Sequence, residues 1–209
     1  MAKLHFKYAS MNSGKSIDLI KTVYNYEEKG LKTLVVKPSV DTKDGNFISS
    51  RVGLKWETDF RIKPNDSIIE LFKDHLDDIN IIFVDEAQFL TKKQVDELFV
   101  ITKVLDIPVI CYGLRTNFKL ESFEGSKRLL ELAEDLEEGK TICECGSMAR
   151  YVGRKKDGEF EVDGDTVVID GTSNYEYVPM CGECYLKKVL KLDFNDYQKR
   201  LGGKYGQNC

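Results

Sequence analysis

The 209-residue sequence has no long apolar run and little proline. Its apolar stretches, such as those at 81–84 and 108–111, are far shorter than the ~20 residues that span a bilayer, so no membrane association is predicted. The opening residues MAKLHFKYAS lack the apolar core of a secretory signal, which predicts a cytoplasmic protein. With only 4 prolines and 42% hydrophobic residues, the composition is that of a globular chain and not of a disordered one.

The chain also lacks an excess of basic residues. Lysine and arginine number 31 against 35 aspartates and glutamates, which gives a formal net charge of -4. Affinity for a nucleic-acid backbone comes from clustered lysine and arginine, so the charge balance predicts that nucleic acid is not a partner. A nucleotide ligand stays compatible with this balance, because it needs only one or two well-placed cations.

The first part of the chain alternates short apolar runs with helical patterns. This alternation predicts an α/β fold with a parallel sheet that helices cover on both faces. The first strand alternates apolar and polar residues, so one of its faces is expected to be less buried. We read the acidic run 134–138 as a solvated helix end. The predicted strands are 4–9, 33–37, 81–84 and 108–114, and the predicted helices are 15–28, 68–76, 92–105 and 124–136.

The composition changes after about residue 140. Several Asp-Gly pairs and short apolar runs between 141 and 184 predict small antiparallel hairpins. Such a short segment cannot bury a sufficient core, so a metal or the neighbouring domain must hold it. Residues from 187 onward predict a helix followed by a glycine-rich tail. The predicted division is therefore a main domain over 1–140, a small domain over 141–190 and a tail over 191–209.

A phosphate-binding loop is the strongest motif. The sequence YASMNSGKS at 8–16 matches GxxxxGK[ST], except that Ala9 replaces the first glycine, and it lies between a predicted strand and helix. In such a loop Lys15 reaches the donor phosphates and the Ser16 hydroxyl ligates Mg²⁺. The alternative is an ordinary Ser-Gly turn. The predicted ATP-binding residues of the loop are Ala9, Ser10, Met11, Asn12, Ser13, Gly14, Lys15 and Ser16.

Two acidic residues follow the apolar run 81–84. A strand that ends in a carboxylate typically brings it to the Mg²⁺ beside a phosphate loop, which assigns Asp85 to the metal and to ATP. Neighbouring strand side chains point to opposite faces, so we expect Glu86 to face a second substrate and to accept a proton from it or orient a water. The alternative is a solvent-exposed acidic strand end.

Four of the six cysteines occur in two pairs, Cys143-x-Cys145 and Cys181-x2-Cys184. Disulfides rarely persist in the cytoplasm, and paired cysteines at hairpin-like turns are typical of a closed, structural zinc site. A catalytic zinc is disfavoured because four protein ligands leave no open position. The alternative is four unligated cysteines.

The accumulated motifs resemble the type II thymidine kinases, the zinc-containing family of bacteria and animal cytosol, over residues 3–190. The resemblance is carried by YASMNSGKS, by VDEAQFL at 84–90, by DIPVICYGLRTNF at 106–118 and by both cysteine pairs with VIDG at 168–171 between them. It implies a RecA-like phosphate-loop fold with a zinc-ribbon module that carries a lasso loop. The implied reaction is transfer of the γ-phosphoryl group of Mg²⁺·ATP to the 5′-hydroxyl of thymidine, or of deoxyuridine, which yields dTMP for nucleotide salvage and DNA synthesis.

The same resemblance implies roles for individual residues. Glu86 would be the general base, Asp41 an acidic residue near the metal, and Arg51 and Lys43 candidates for neutralising transition-state charge. The resemblance places Gln88 both among the ATP-binding residues and in the base pocket. The base contact falls on Tyr175 or Tyr177, because the segment before Cys181 is longer than in many members. The other residues that match nucleoside-pocket positions are Met11, Phe89, Leu114, Phe118, Phe123 and Val152.

The family further implies that the segment between the cysteine pairs folds over thymidine, that the subunits form a homotetramer and that dTTP inhibits as the end product. Two other readings stay open at this point. A RecA-like zinc-ribbon ATPase coupled to nucleic acid would use Glu86 to orient water. A non-catalytic module would use the nucleotide only as a switch.

Overall fold

The computed structural model describes residues 1–42, 44–165 and 174–200. No helix among these residues is long and apolar enough to cross a membrane. Strands are β1 (Leu4–Tyr8), β2 (Thr33–Pro38), β3 (Phe47–Ser49), β4 (Lys55–Glu57), β5 (Phe60–Ile62), β6 (Ile81–Val84), β7 (Val109–Gly113), β8 (Asp135–Glu138), β9 (Tyr151–Lys156), β10 (Glu159–Glu161) and β11 (Tyr175–Met180). Helices are α1 (Lys15–Glu27), α2 (Ile68–Phe72), α3 (Lys92–Val104), α4 (Glu124–Leu132), α5 (Gly182–Lys188) and α6 (Phe194–Arg200), with a 3₁₀ turn at Ala87–Phe89.

A six-stranded sheet in the order β5-β2-β6-β7-β1-β8 forms the centre of the molecule. Every neighbouring pair in it is parallel, as the alternating sequence pattern predicts. Ile82 and Val84 pack into one core cluster with α3 and α4, while Ile81 and Phe83 pack into a second cluster with α1. Because successive strand residues point to opposite faces, helices cover both faces of this sheet, and that prediction is confirmed.

The first strand shows the predicted asymmetry. Leu4 and Phe6 are fully buried, whereas His5 and Lys7 are only partly so. Both polar positions contact the adjoining edge strand β8, and Lys7 also pairs with Asp18 at 3.0 Å. The alternating pattern therefore marks the positions at which polar side chains of β1 contact carboxylates of β8.

The interpretation of residues 134–138 as a helix end is wrong. Helix α4 ends at Leu132, and Asp135–Glu138 forms β8, the edge strand beside β1. His5 Nδ1 lies 3.3 Å from an Asp135 carboxylate oxygen, and Lys7 Nζ lies 3.3 Å from Glu137. Pairing with β1 thus places this acidic segment in a strand, although its composition is typical of a solvent-exposed segment.

Other boundaries also differ from the predictions. Helix α2 ends at Phe72, earlier than expected, and the C-terminal helical segment is split into α5 and α6. The sequence pattern does not predict the three short strands β3, β4 and β5 over 47–62. The predicted VIDG segment and the final tail residues 201–209 lie outside the described residues.

The three antiparallel strands β10-β9-β11 form a second, small sheet, which confirms the hairpins predicted after residue 140. The turn between β9 and β10 places Asp157 at φ 50° and Gly158 at φ 86°. Two consecutive left-handed residues are the geometry of a tight hairpin turn, which Asp-Gly favours. We call residues 141–165 and 174–190, which contain this sheet, α5 and the paired cysteines, the small-sheet module.

Candidate active site

The predicted phosphate-binding loop runs from the end of β1 to the start of α1. Asn12 and Gly14 adopt left-handed conformations, with φ of 64° and 82°. Gly14 is the N-cap of α1, and in the described structure no side chain caps that helix. The first backbone N–H groups of a helix carry partial positive charge, so this end of α1 presents the donors that phosphate oxygens require.

A cavity of about 360 Å³ opens beside this loop and contains most of the predicted polar site residues. The loop supplies one wall, the ends of β6 and β7 a second, and the segment around β3 a third. The residues of the predicted site that line the cavity are Met11, Asn12, Ser13, Gly14, Lys15, Ser16, Asp41, Arg51, Asp85, Glu86 and Leu114. Lys43 lies outside the described residues.

Asp85 and Glu86 both line this cavity, contrary to the expectation that they face opposite sides. The strand β6 ends at Val84, and Glu86 takes a left-handed conformation with φ 49°. Strand alternation therefore no longer applies at this pair. The chain turns here into the 3₁₀ turn, and both residues border the same cavity.

Burial has a strong electrostatic effect in the cavity. Asp85 is 4% exposed, and burial, followed by the nearby Glu86 charge, raises the pKa of Asp85 to about 7. Its Oδ1 atom has no hydrogen-bond partner in the described part of the chain. Desolvation lowers the pKa of Lys15, an effect that the charges of Glu86 and Asp85 oppose. A buried, unpartnered carboxylate oxygen beside a lysine is suited to a cationic ligand.

Three oxygen donors of the cavity fit a hard divalent cation. The carboxylates of Asp85 and Asp41 and the hydroxyl of Ser16 line the same space, and Mg²⁺ prefers such ligands. The unpartnered Asp85 oxygen supports this fit. Asp41 itself is held by Lys37, a lysine only 1% exposed, whose Nζ lies 3.0 Å from the Asp41 carboxylate and 2.9 Å from the Phe47 carbonyl.

Gln88 contacts Glu86 through its side chain and is 2% exposed. Its Nε2 atom donates to the Glu86 carboxylate, and its Oε1 accepts from the backbone N–H of Leu114 at 3.0 Å. A Cβ at Gly113 would lie 2.7 Å from that Oε1 atom, so the close approach requires glycine there. Gln88 therefore links the carboxylate to the end of β7.

The remaining predicted residues that the structure describes are not part of the cavity lining. Ala9 and Ser10 are buried at the end of β1, where the Ser10 hydroxyl donates to the Ala149 carbonyl at 3.4 Å. The rings of Phe89 and Phe123 meet edge to face with centroids 5.7 Å apart. This aromatic pair lies where the 3₁₀ turn meets the start of α4, since these are the elements that carry the two residues.

The other aromatic candidates belong to the small-sheet module or contact it. Phe118 is 1% exposed and Val152 is 4% exposed. Tyr175 and Tyr177 are two residues apart on β11 and thus share one face of the small sheet, with Tyr177 opposite Arg154 of β9. Both tyrosines stay candidates for the predicted base contact.

The four paired cysteines converge at one end of the small-sheet module. Their Sγ atoms all lie within 4.8 Å of one another, and Cys145 Sγ and Cys181 Sγ are 3.6 Å apart. Four thiolates around Zn²⁺ at about 2.3 Å would be separated by similar distances, so the cluster can hold a metal ion such as zinc. Hydrogen bonds from Ser147 lower the pKa of Cys145 to about 6, which favours the thiolate that a metal needs.

A sequence model of one protein family, described as thymidine kinase, matches residues 2–185. The chain belongs to the thymidine kinase family. A thymidine kinase of Pasteurella multocida (strain Pm70) is 45% identical over 193 residues, covering 90% of this chain and 99% of that relative. A second, from Mannheimia succiniciproducens, is 42% identical over 196 residues, covering 92% of this chain and 99% of the other.

Solved structures give a weaker match. The crystal structure of Pif1 helicase from Candida albicans superposes with a TM-score of 0.43 at 13% identity, covering 68% of this chain and 36% of the helicase. A score at that level supports no conclusion about function. The family assignment of this kinase rests on the sequence relatives.

The small-sheet module of this kinase is attached directly to the phosphate loop. Besides the Ser10 contact, the Thr141 hydroxyl donates to the Asn12 carbonyl at 3.4 Å. Arg150 pairs with Glu138 at 3.0 Å, and the Arg115 guanidinium lies between the rings of Tyr8 and Tyr151. Contacts between the small-sheet module and the phosphate loop thus link the cysteine cluster to the cavity.

Sequence reasoning missed three buried polar residues of this kinase: Lys37, Arg154 and Tyr185. Lys37 interrupts an otherwise apolar strand, which is a usable signal of a buried ion pair. Arg154 belongs to a run of charged residues on β9 that reads as a solvated surface, yet it is 1% exposed. Tyr185 follows Cys181 by one helical turn, and no local pattern distinguishes it from an ordinary helix residue.

Proposed function

We propose that this kinase transfers the γ-phosphoryl group of ATP to the 5′-hydroxyl of thymidine, giving dTMP and ADP. The observation that carries the proposal is the convergence, in one cavity, of Lys15, the buried carboxylate of Asp85 and the carboxylate of Glu86. A phosphate-binding helix end and a base for a hydroxyl acceptor are the parts that phosphoryl transfer needs. The matched relatives bear the name thymidine kinase, which supports thymidine as the acceptor.

The donor side follows from the loop. The backbone N–H groups at the start of α1 and the ammonium of Lys15 would contact the β- and γ-phosphates. Ser16, Asp41 and Asp85 would hold Mg²⁺, which neutralises charge on the phosphoryl group during its transfer. Arg51 also lines the cavity and is our candidate for further neutralisation, and Lys43 stays a prediction from the sequence.

On the acceptor side, Glu86 would take the proton of the 5′-hydroxyl as the new P–O bond forms. Gln88 supports this role, since its amide holds the carboxylate in place and anchors it to Leu114. Such fixed orientation contributes to rate because a misaligned base loses effective concentration. The aromatic residues of the predicted pocket, Phe89, Phe123 and Phe118 among them, would surround the thymine.

We assign a structural role to zinc in the small domain 141–190. Cys143, Cys145, Cys181 and Cys184 would hold the ion, which joins the two ends of the segment that carries the small sheet. The sequence prediction that this segment folds over the nucleoside involves residues 166–173, which lie outside the described residues. The homotetramer, inhibition by dTTP and a role in cytoplasmic nucleotide salvage also stay predictions.

The deciding experiment measures ADP and dTMP formation from Mg²⁺·ATP with thymidine, with uridine and with no acceptor. We expect thymidine-dependent turnover that Lys15→Met abolishes and that Lys29→Met, an exposed lysine near the other end of the same helix, leaves unchanged. Hydrolysis of ATP that is indifferent to thymidine would reject the proposal. If DNA stimulated that hydrolysis, the ATPase reading would replace it.

A further inference from the structure

Phe118 is held by two side chains of the small-sheet module, one on its backbone and one on its ring. It lies between β7 and α4 and is 1% exposed. The hydroxyl of Tyr185 donates to the Phe118 carbonyl at 2.5 Å, and the guanidinium carbon of Arg154 lies 3.7 Å from the centre of the Phe118 ring. Both the main chain and the side chain of Phe118 are thus fixed from outside its own segment.

Arg154 is itself rigidly held. Its Nε donates to Glu161 at 2.8 Å, its Nη1 donates to the Asp165 carbonyl, and the ring of Tyr175 lies 5.2 Å from its guanidinium carbon. A buried cation without such partners would be costly, and with them its position is determined. A Cβ at Gly164 would lie 2.5 Å from Nη2, so the backbone can pass this close to the guanidinium only with a glycine at this position.

Tyr185 connects Phe118 to the cysteine cluster. Helix α5 starts directly after Cys181, whose Sγ accepts from the backbone N–H of Cys184 at 3.4 Å and whose carbonyl accepts from that of Tyr185 at 3.0 Å. The tyrosine therefore stands one turn beyond Cys181 and directly after Cys184. A change in the geometry of the cluster would move the hydroxyl that holds Phe118.

We propose that Arg154 and Tyr185 are positioning residues for nucleoside binding, because together they fix Phe118, a residue of the predicted base pocket. This inference rests on the proposed function, in which Phe118 contacts the nucleoside. It further predicts that the remote cysteine cluster acts on nucleoside affinity. The proposed base Glu86 is oriented by different contacts, since the Gln88 amide donates to its carboxylate and the Gln88 oxygen accepts from the backbone N–H of Leu114.

The test compares Tyr185→Phe with Tyr151→Phe. Tyr151 lies in the same module, with its ring 6.4 Å from that of Tyr185, and its hydroxyl makes no hydrogen bond within the described residues. Loss of one buried hydrogen bond predicts a rise of about fivefold in the KM for thymidine for Tyr185→Phe. The kcat, the KM for ATP and the zinc content should stay at the wild-type values, as should every parameter of Tyr151→Phe.

Arg154→Lys provides a second variant that keeps the charge and loses the flat guanidinium face. We expect its KM for thymidine to rise at least as much, again with little change in kcat. A thymidine KM within twofold of wild type in both Tyr185→Phe and Arg154→Lys would overturn the inference. A fall in kcat equal to the fall in kcat/KM would overturn it as well, because the residues would then act on the chemical step.

Failure of the proposed function can be told apart from failure of this inference. If the wild-type protein transfers no phosphoryl group to thymidine, the proposed function fails. Amide hydrogen exchange over residues 115–121, where Asn117 and Leu120 have hydrogen-bonded backbone N–H groups, then decides about the two positioning residues. Faster exchange in Tyr185→Phe than in Tyr151→Phe supports their role, and equal exchange rejects it.

Discussion

The side-chain amide of Gln88 donates a hydrogen bond to the carboxylate of Glu86, two residues earlier in the chain. This contact is possible because Glu86 has left the strand in a left-handed conformation and the 3₁₀ turn that follows brings Gln88 back beneath it. The amide cannot rotate freely, since its oxygen accepts from Leu114. The orientation of the proposed base is thus set by a residue from its own turn and by the end of the adjacent strand.

Replacing Gln88 with methionine keeps the volume and removes both hydrogen bonds. A hydrogen bond to a charged group contributes about 1.5–3 kcal/mol, so we expect kcat to fall by about tenfold or more. Steady-state kinetics with thymidine measures this, and Gln94→Met is the matched control. Gln94 is equally buried but caps α3, so its loss should lower stability and leave kcat unchanged. Equal kcat values for Gln88→Met and wild type would contradict the positioning role.

Replacing Glu86 with glutamine keeps the shape of the side chain and removes the proton acceptor. General-base catalysis contributes about 10²–10⁴-fold, so single-turnover transfer should slow by that factor while thymidine binding, measured by calorimetry, persists. Glu138→Gln is the control, since Glu138 pairs with Arg150 and does not line the cavity. Near-normal turnover of Glu86→Gln would assign the base to another group.

Replacing Cys184 with alanine should release the metal and raise the KM for thymidine. Three thiolates bind zinc more weakly than four, and the cluster anchors the helix that carries Tyr185. Metal analysis of the purified protein and steady-state kinetics give the two readouts. Cys111→Ala, at a buried cysteine of β7 outside the cluster, should keep its metal. Unchanged zinc content in Cys184→Ala would reject the four-ligand site.

Replacing Gly125 with alanine should destabilise the fold at the start of α4. A Cβ there would lie 2.5 Å from the Ala87 carbonyl and 2.7 Å from that of Leu90, both in the backbone around the 3₁₀ turn. Overpacking of this kind costs about 1–3 kcal/mol in the free energy of unfolding, which urea denaturation measures. Lys127→Ala, at an exposed position of the same helix, should leave the midpoint nearly unchanged. An unaltered midpoint for Gly125→Ala would mean that α4 can shift freely.

Local chemistry explains why much of this architecture is predictable. The apolar runs at β2 and β6 are buried on both faces, as is typical of strands in a parallel sheet. The loop before α1 and the two cysteine pairs carry residue types whose spacing is tied to one kind of ligand. Apolar composition and residue spacing are properties of short segments, so a single sequence is enough to reveal them.

The features that escape prediction depend on contacts between distant segments. Arg154 is buried only because Glu161, Asp165 and the ring of Phe118 surround it. The shared cavity of Asp85 and Glu86 depends on one left-handed residue in a position where strand alternation would continue. Neither arrangement leaves a pattern in the residues immediately around it.

The acidic strand β8 determines where the small-sheet module joins the rest of the chain. Asp135 lies beside His5 and Glu137 beside Lys7, so a carboxylate–imidazole contact and an ion pair occur at alternate positions along this edge. A shift by one residue would break both pairs and bring Leu136 beside a charged neighbour.

That pairing has a consequence for distances across the molecule. In the observed register, the backbone N–H of Gly139 donates to the Tyr8 carbonyl at 2.8 Å, immediately before the phosphate loop begins. A slip of one position would displace everything after β8 by about 3.3 Å along the strand, more than the length of a hydrogen bond. The register of this edge strand therefore sets the separation between the cysteine cluster and the phosphate-binding loop.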